Sequence, residues 1–332
     1  MTTFLRARFL RLLALVLVTA VAASACGKYS ISNIRSLKAF SDANNLYKKG
    51  EYKGAIARYE DSVRHNPEQE LVYFFLGHAN EMLYKPARKG EPDNDAFLLK
   101  AVENYRLAID KLADSKEEKA GDVRQLAYEY LISAYGPGKL DDFSKAEPIA
   151  QQLIAMNPND PQRYQMLATL YQDQGRFEEA EKYFLKAVEV RPNDPLTYAR
   201  VATFYNSQGD FEKTMEMWNK RANAEPNNPE AWQTIAQYYW EKAEKDKTLP
   251  APKAREYILK GLEATNRALQ LNPEYFQALA FKGILLQLQA RYEKDPAVQK
   301  KLIAEGEALN KQAIEVQKKQ SGATPATPPK GK

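Results

Sequence analysis

Cysteine and histidine are nearly missing from this chain. One cysteine, Cys26, and two histidines, His65 and His78, occur in 332 residues. A single thiol excludes an intramolecular disulfide and a cysteine-rich metal site. Two histidines leave little for zinc chemistry, and no HExxH pattern occurs. A Ser/His/Asp arrangement, a phosphate-binding glycine loop and a metal-ligand cluster are all lacking, which argues against an enzyme and implies no cofactor. Charge of one sign is also scarce. The formal charge is +5, but Arg6, Arg8 and Arg11 supply +3 in a leading stretch without acids. The tail from Gln317 adds four lysines and no acid, which leaves Cys26 to Val316 near −2. No basic face of the size that nucleic-acid binding requires remains. Alternating strand patterns are scarce, and helical spacing dominates.

What is present is a period. Pro158, Pro192 and Pro226 are 34 residues apart, as are Pro161, Pro195 and Pro229. Tyr164, Tyr198 and Trp232 keep the interval, with Ala168, Ala202 and Ala236, and with Gly175 and Gly209. A fixed interval shared by several residue types marks a repeat array. Within one unit, Tyr164, Leu167, Ala168 and Tyr171 fall on one helical face. Gly175 ends that helix, because glycine accepts the left-handed conformation. Phe177, Ala180, Phe184 and Ala187 then form a second apolar face. Proline suits the first helical turn, and Asn or Asp caps it. Each unit therefore reads as a helical hairpin with small residues at the crossing.

The order aromatic, Leu-Ala, Tyr, Gly, Phe, Ala, aromatic, Ala, Pro from Tyr164 to Pro192 resembles the tetratricopeptide repeat. The next unit keeps most of it and departs at Thr214 and Arg221, where that family usually has alanine. The resemblance implies an all-α, right-handed α-solenoid of six to seven hairpins. Units are expected at 36–69, 70–113, 118–160, 161–194, 195–228, 229–275 and 276–316. Insertions at 84–95 and 241–252 fall between the two helices of their hairpins. The polar helix near Val298 to Val316 suits a terminal cap. Residues 317–332 are expected to be a disordered tail.

The first 25 residues are set apart from the fold. A basic start precedes an apolar run, Leu12 to Val21, too short for a permanent membrane span. Ala22-Ala23-Ser24-Ala25 before Cys26 resembles a bacterial lipoprotein signal peptide with a lipobox. The resemblance implies acylation of Cys26 and a place at a membrane, facing the periplasm from the outer membrane. Ordinary cleavage after Ala25, giving a soluble periplasmic or secreted binder, is the alternative. Residues 26–35 then form a lipidated N-terminus and a linker that spans about 30 Å at most.

Tetratricopeptide families bind peptides or partner helices along the first helix of each pair. The positions left over from packing are Gln162, Gln165, Thr169 and Gln172 in one unit. They are Ala199, Thr203 and Asn206 in the next, with Leu196 beside them. A third unit adds Gln233, Gln237 and Trp240. Amides both donate and accept, which suits the backbone of an extended segment. Trp240 is a candidate anchor. No Lys/Arg/Asn carboxylate clamp of the chaperone-binding type is present. The expected role is a membrane-anchored scaffold with an unidentified protein or peptide partner. A pilotin-like lipoprotein of type IV pilus or secretion-system assembly is a narrower form of that role.

Overall fold

The computed structural model describes residues 30–322. Among them are fourteen α-helices, a 3-10 turn at Pro86–Arg88 and no strand. Two compact units divide the chain. One holds the residues up to Pro158 with Met166–Ala180, the other Asn159–Gln165 with Glu181 onward.

In the first unit, α1 (Ile31–Lys48) pairs with α2 (Tyr52–His65), α3 (Glu70–Glu81) with α4 (Pro92–Lys111), and α5 (Ala120–Tyr135) with α6 (Phe143–Met156). Each pair rests on the next, α2 on α3 and α4 on α5. The turn at Gly175 joins α7 (Pro161–Asp173) to α8 (Phe177–Val190). In the second unit, α9 (Pro195–Ser207) pairs with α10 (Phe211–Ala224), α11 (Pro229–Lys245) with α12 (Ala251–Leu271), and α13 (Phe276–Arg291) with α14 (Pro296–Gln320). Here α10 lies on α11 and α12 on α13. The all-α, hairpin-by-hairpin order is the one the 34-residue period implies.

The repeat landmarks act where elementary chemistry places them. Pro195 and Pro229 open α9 and α11, where a missing N–H costs nothing. Just ahead of them, Asp194 Oδ2 accepts from the Thr197 amide at 3.1 Å, and Asn228 Oδ1 from Glu230 at 3.0 Å. Gly50, Gly175 and Gly209 end their helices at φ 78°, 69° and 74°. At that φ any other side chain is strained. The turn lets Glu51, Arg176 and Asp210 donate back to the carbonyls of Leu46, Tyr171 and Tyr205 at 3.0, 2.9 and 3.1 Å. Ala168, Ala180, Ala202 and Ala236 are fully buried, as helix crossings require. At the two departures the packing is kept by other means. The Thr214 hydroxyl donates to the Asp210 carbonyl at 2.7 Å, so its polar atom is satisfied within its own helix. Arg221 lays its guanidinium 5.5 Å from the Trp218 ring and bonds Glu225 at 2.5 Å.

Neighbouring hairpins are also tied by a repeated polar link. Tyr171 donates to Glu147 within the first unit, and Tyr205 donates to Glu181 at 2.8 Å within the second. Both members of the pair recur at 34 residues. Lys213 adds a 2.8 Å contact to Glu181, and Lys213 first, then Tyr205, holds that carboxyl below its ordinary range.

Three boundaries differ from the sequence expectation. Helix α1 begins at Ile31, not near Ser36, because Ser30 caps it by accepting from Asn33 at 3.1 Å. The tail expected from Gln317 starts later, since α14 continues to Gln320, whose side chain donates to the Glu274 carbonyl at 3.2 Å. The insertions at 84–95 and 241–252 are partly helix: α4 begins at Pro92 after the 3-10 turn, α11 continues to Lys245 and α12 begins at Ala251. Helices α11 and α12 run to 17 and 21 residues, against 13 and 14 in α9 and α10. The remaining loop is held by Asp246, whose carboxyl accepts from the Thr248 hydroxyl at 2.6 Å and from Lys242 at 2.9 Å. Those bonds, led by Thr248, draw its pKa down to about 2. In the other insertion, buried Asn94 accepts from the Lys85 amide at 2.8 Å and donates to its carbonyl at 3.1 Å. Among the described residues no helix is long and apolar enough to cross a membrane. Residues 1–25, expected to be a signal peptide, Cys26 and residues 323–332 lie outside the described residues.

Candidate protein-binding face

The second unit presents a stripe along α9. Leu196, Ala199, Thr203 and Asn206 sit at three- and four-residue steps, while Thr197, Tyr198, Val201, Ala202, Phe204 and Tyr205 are buried. Leu196 is 68% exposed in the first turn. Thr203 and Asn206 are exposed, and Ala199 is half-buried. The Thr203 hydroxyl donates to the Ala199 carbonyl at 2.9 Å, within its own helix.

Gln165 does not belong to an open face. It is buried, and its amide donates to Thr197 Oγ1 at 2.9 Å. Thr197 in turn donates to Asp194 at 2.5 Å. The side chain therefore reaches into the cap of α9. Sequence spacing could not show this, because a glutamine that solvates a helix and one that ties two helices share the same heptad position. Gln162 and Thr169 are exposed, and Gln172 is half-buried.

On α11, Gln233 is buried, whereas Gln237 and Trp240 are half-buried. Gln237 donates to Glu241 at 3.3 Å. Trp240 meets Phe281 of α13 edge-on, with ring centroids 5.6 Å apart, and Lys245 lies 5.8 Å from its centroid. Helices α11 and α13 are in direct contact. On α13 the Gln277 Oε1 is closed off from water without a hydrogen-bond partner. A buried acceptor left unmet costs about 1–3 kcal/mol. Phe281 escaped the sequence reading because it lies outside the recurring aromatic positions.

The first unit builds the corresponding helices from rings. His78 of α3 forms a short hydrogen bond through Nδ1 with the Tyr47 hydroxyl. It stacks on Phe74 at 6.2 Å and meets Tyr130 of α5 edge-on at 4.6 Å. Glu81, one turn on, accepts from Tyr105 at 2.5 Å and pairs with Lys139 at 2.5 Å. Burial draws the His78 pKa below its ordinary value; Glu81 opposes that shift and Lys139 adds to it. Among the described residues no group of three or more His, Cys, Asp or Glu is placed to hold a metal ion.

The tetratricopeptide repeat family model matches residues 139–203, which run from the loop before α6 into α9. That span is tetratricopeptide repeat sequence. Among solved structures the chain is similar to the C-terminal part of a TPR repeat-containing protein from Cytophaga hutchinsonii. Identity is 18%, the TM-score 0.52, and 83% of this chain and 98% of that chain are covered. A tetratricopeptide repeat protein from Parabacteroides merdae gives 14%, 0.43, and 82% and 99%. MamA from Desulfovibrio magneticus gives 14%, 0.40, and 58% and 96%. No curated protein matches the chain. At these identities the likeness is one of fold, and the Cytophaga structure carries it: the fold is a solenoid of tetratricopeptide type.

Proposed function

We propose that the protein is a non-catalytic scaffold that binds an extended protein segment along its first helices. The observation that carries the reading is the α9 stripe, where an exposed leucine precedes an exposed threonine and an exposed asparagine. An apolar anchor at one end and hydrogen-bonding side chains beyond it suit an extended backbone held by one side chain. Trp240, half-buried on α11, supplies a second aromatic anchor. Capture on the full chain, then affinity with Leu196→Ser and Thr203→Arg, tests the face. The expected loss is about tenfold or more. Unchanged affinity contradicts the assignment.

The same reading places the scaffold at a bacterial envelope. Basic Arg6, Arg8 and Arg11, the apolar run and Cys26 support processing as a lipoprotein, held at the outer membrane and facing the periplasm. Because α1 is already capped at Ser30, only three residues separate Cys26 from the helical body. Intact mass of the mature N-terminus is expected to show an acylated Cys26. A free N-terminus in the soluble fraction removes the anchor.

A further inference from the structure

The free side of α1 changes character along its length. Ile31, Ile34, Lys38, Ser41 and Asn45 follow at three- and four-residue steps and are all exposed, while Ser36, Ala39 and Ala43 are buried on the other side. Ile31 is 72% exposed and Ile34 55%. The apolar part is confined to the first two turns, and Arg35 and Lys38, both exposed, adjoin it. No acid precedes Asp42 in the sequence. The end of α2 lies beside those turns: Ser32 donates to the His65 carbonyl at 2.6 Å, and Asn66 to Asn33 at 2.8 Å. Asp61 of α2 is compensated by Arg64 at 3.3 Å and Arg58 at 3.9 Å.

Two isoleucines make too small a patch for a stable protein interface. They suit a lipid surface, where apolar side chains of a helix enter the boundary between headgroups and acyl chains and neighbouring cations meet anionic phosphates. Among the described residues no helix is long and apolar enough to span, so such a contact lies on the surface. Its place in the chain agrees. Cys26 stands three residues before the Ser30 cap, and an acyl anchor joined to a basic patch holds more firmly than either alone. The patch also has an edge. Leu37 lines a cavity of about 780 Å³ with Glu68, Glu70, Asp114, Glu117 and Lys116. Anionic headgroups repel those carboxylates, so the contact ends at Ile34.

We propose, on the reading that places the protein at a bacterial envelope, that the first two turns of α1 rest in an anionic lipid surface. Ile31 and Ile34 enter the acyl boundary, and Arg35 and Lys38 pair with headgroup phosphates. The acyl anchor sets where the chain meets the bilayer, and α1 sets how the first unit is turned against it.

Cys26 is the only cysteine, so in the acylated chain a single introduced cysteine is the one free thiol. A fluorophore at Ile34→Cys is compared with one at Leu259→Cys, because Leu259 is 56% exposed and matches Ile34 in everything but place. The chain is expressed whole, recovered from membranes and reconstituted in phosphatidylethanolamine and phosphatidylglycerol vesicles with brominated acyl chains. The bromines are expected to quench the probe at 34 and to spare the probe at 259. Arg35→Gln with Lys38→Gln should relieve the quenching at 34. Intact mass of the same sample reports the anchor. An acylated chain without quenching at 34 overturns the contact and leaves the anchor standing. An unacylated chain defeats the envelope reading, and vesicles added to the Cys26→Ser form of the labelled chain then decide the contact. Equal quenching at 34 and 259, or quenching indifferent to the loss of both cations, also overturns the proposal. So does a lipid-free shift of the probe at 34 with protein concentration, which assigns the face to a second copy.

Discussion

The first helices of the two units share a frame and differ in what they offer. In the first unit Tyr47, Phe74, His78 and Tyr130 touch one another across α1, α3 and α5. Rings of that size span the gap between successive hairpins and satisfy each other, so little contact capacity is left for a partner. In the second unit Thr203 and Asn206 are too short to bridge to a neighbour and stay exposed. The repeat sets where a side chain points. Its size decides whether the face is closed by the fold or left open to a ligand.

This contrast is best broken by stability. Tyr105 is fully buried under the first-unit cluster and donates to Glu81. Tyr105→Ala is expected to cost about 3–5 kcal/mol in urea unfolding. Trp240→Ala, at a half-buried site, should cost clearly less; equal losses would mean that the two faces are packed alike. A finer cut compares two positions that sequence spacing places on one stripe. Gln165→Ala removes a buried bond to Thr197 and is expected to cost about 1–3 kcal/mol. Thr203→Ala should stay within about 0.5 kcal/mol of zero. If both were neutral, the burial of Gln165 would have no energetic meaning.

The histidine gives a third handle. Folding lowers the His78 pKa from its ordinary value of 6.5. Between the folded and unfolded values the unfolded chain binds more protons, so stability rises with pH in that window. The contribution is complete above about 6.5 and is lost as the pH falls toward the folded pKa. His78→Phe should flatten that slope in urea midpoints measured from pH 7.5 to 5. A slope that survives would assign it to other groups. An effect as small as that of Thr203→Ala is expected at Gln237→Ala, whose 3.3 Å bond to Glu241 is part-buried and should contribute under about 0.5 kcal/mol in urea unfolding.

Hairpin order, turn glycines and crossing alanines were legible because each is a local requirement. Gly175 and Gly209 answer to φ alone, and Ala202 to the space at one crossing. The candidate face was legible as a set of helix positions but not residue by residue. Gln165 and Gln233 look like solvated amides until the neighbouring helix is in place, and Phe281 joins Trp240 only through the packing of α13 on α11. The insertions misled for a related reason. The insertion at 241–252 reads as an interruption between helices, yet α12 starts at Ala251 with Pro252 in its first turn, where proline is accommodated. Asn94 likewise seals a turn through bonds to Lys85, nine residues away, that no short pattern announces.

Site-specific photo-crosslinking in the full-length chain tests the binding face most directly, with the probe at Thr203 or Asn206 on α9 and, separately, at Lys186 on α8. The account predicts one partner captured at both α9 positions and none at Lys186. Capture at Lys186 alone, or equal capture at all three, would contradict it.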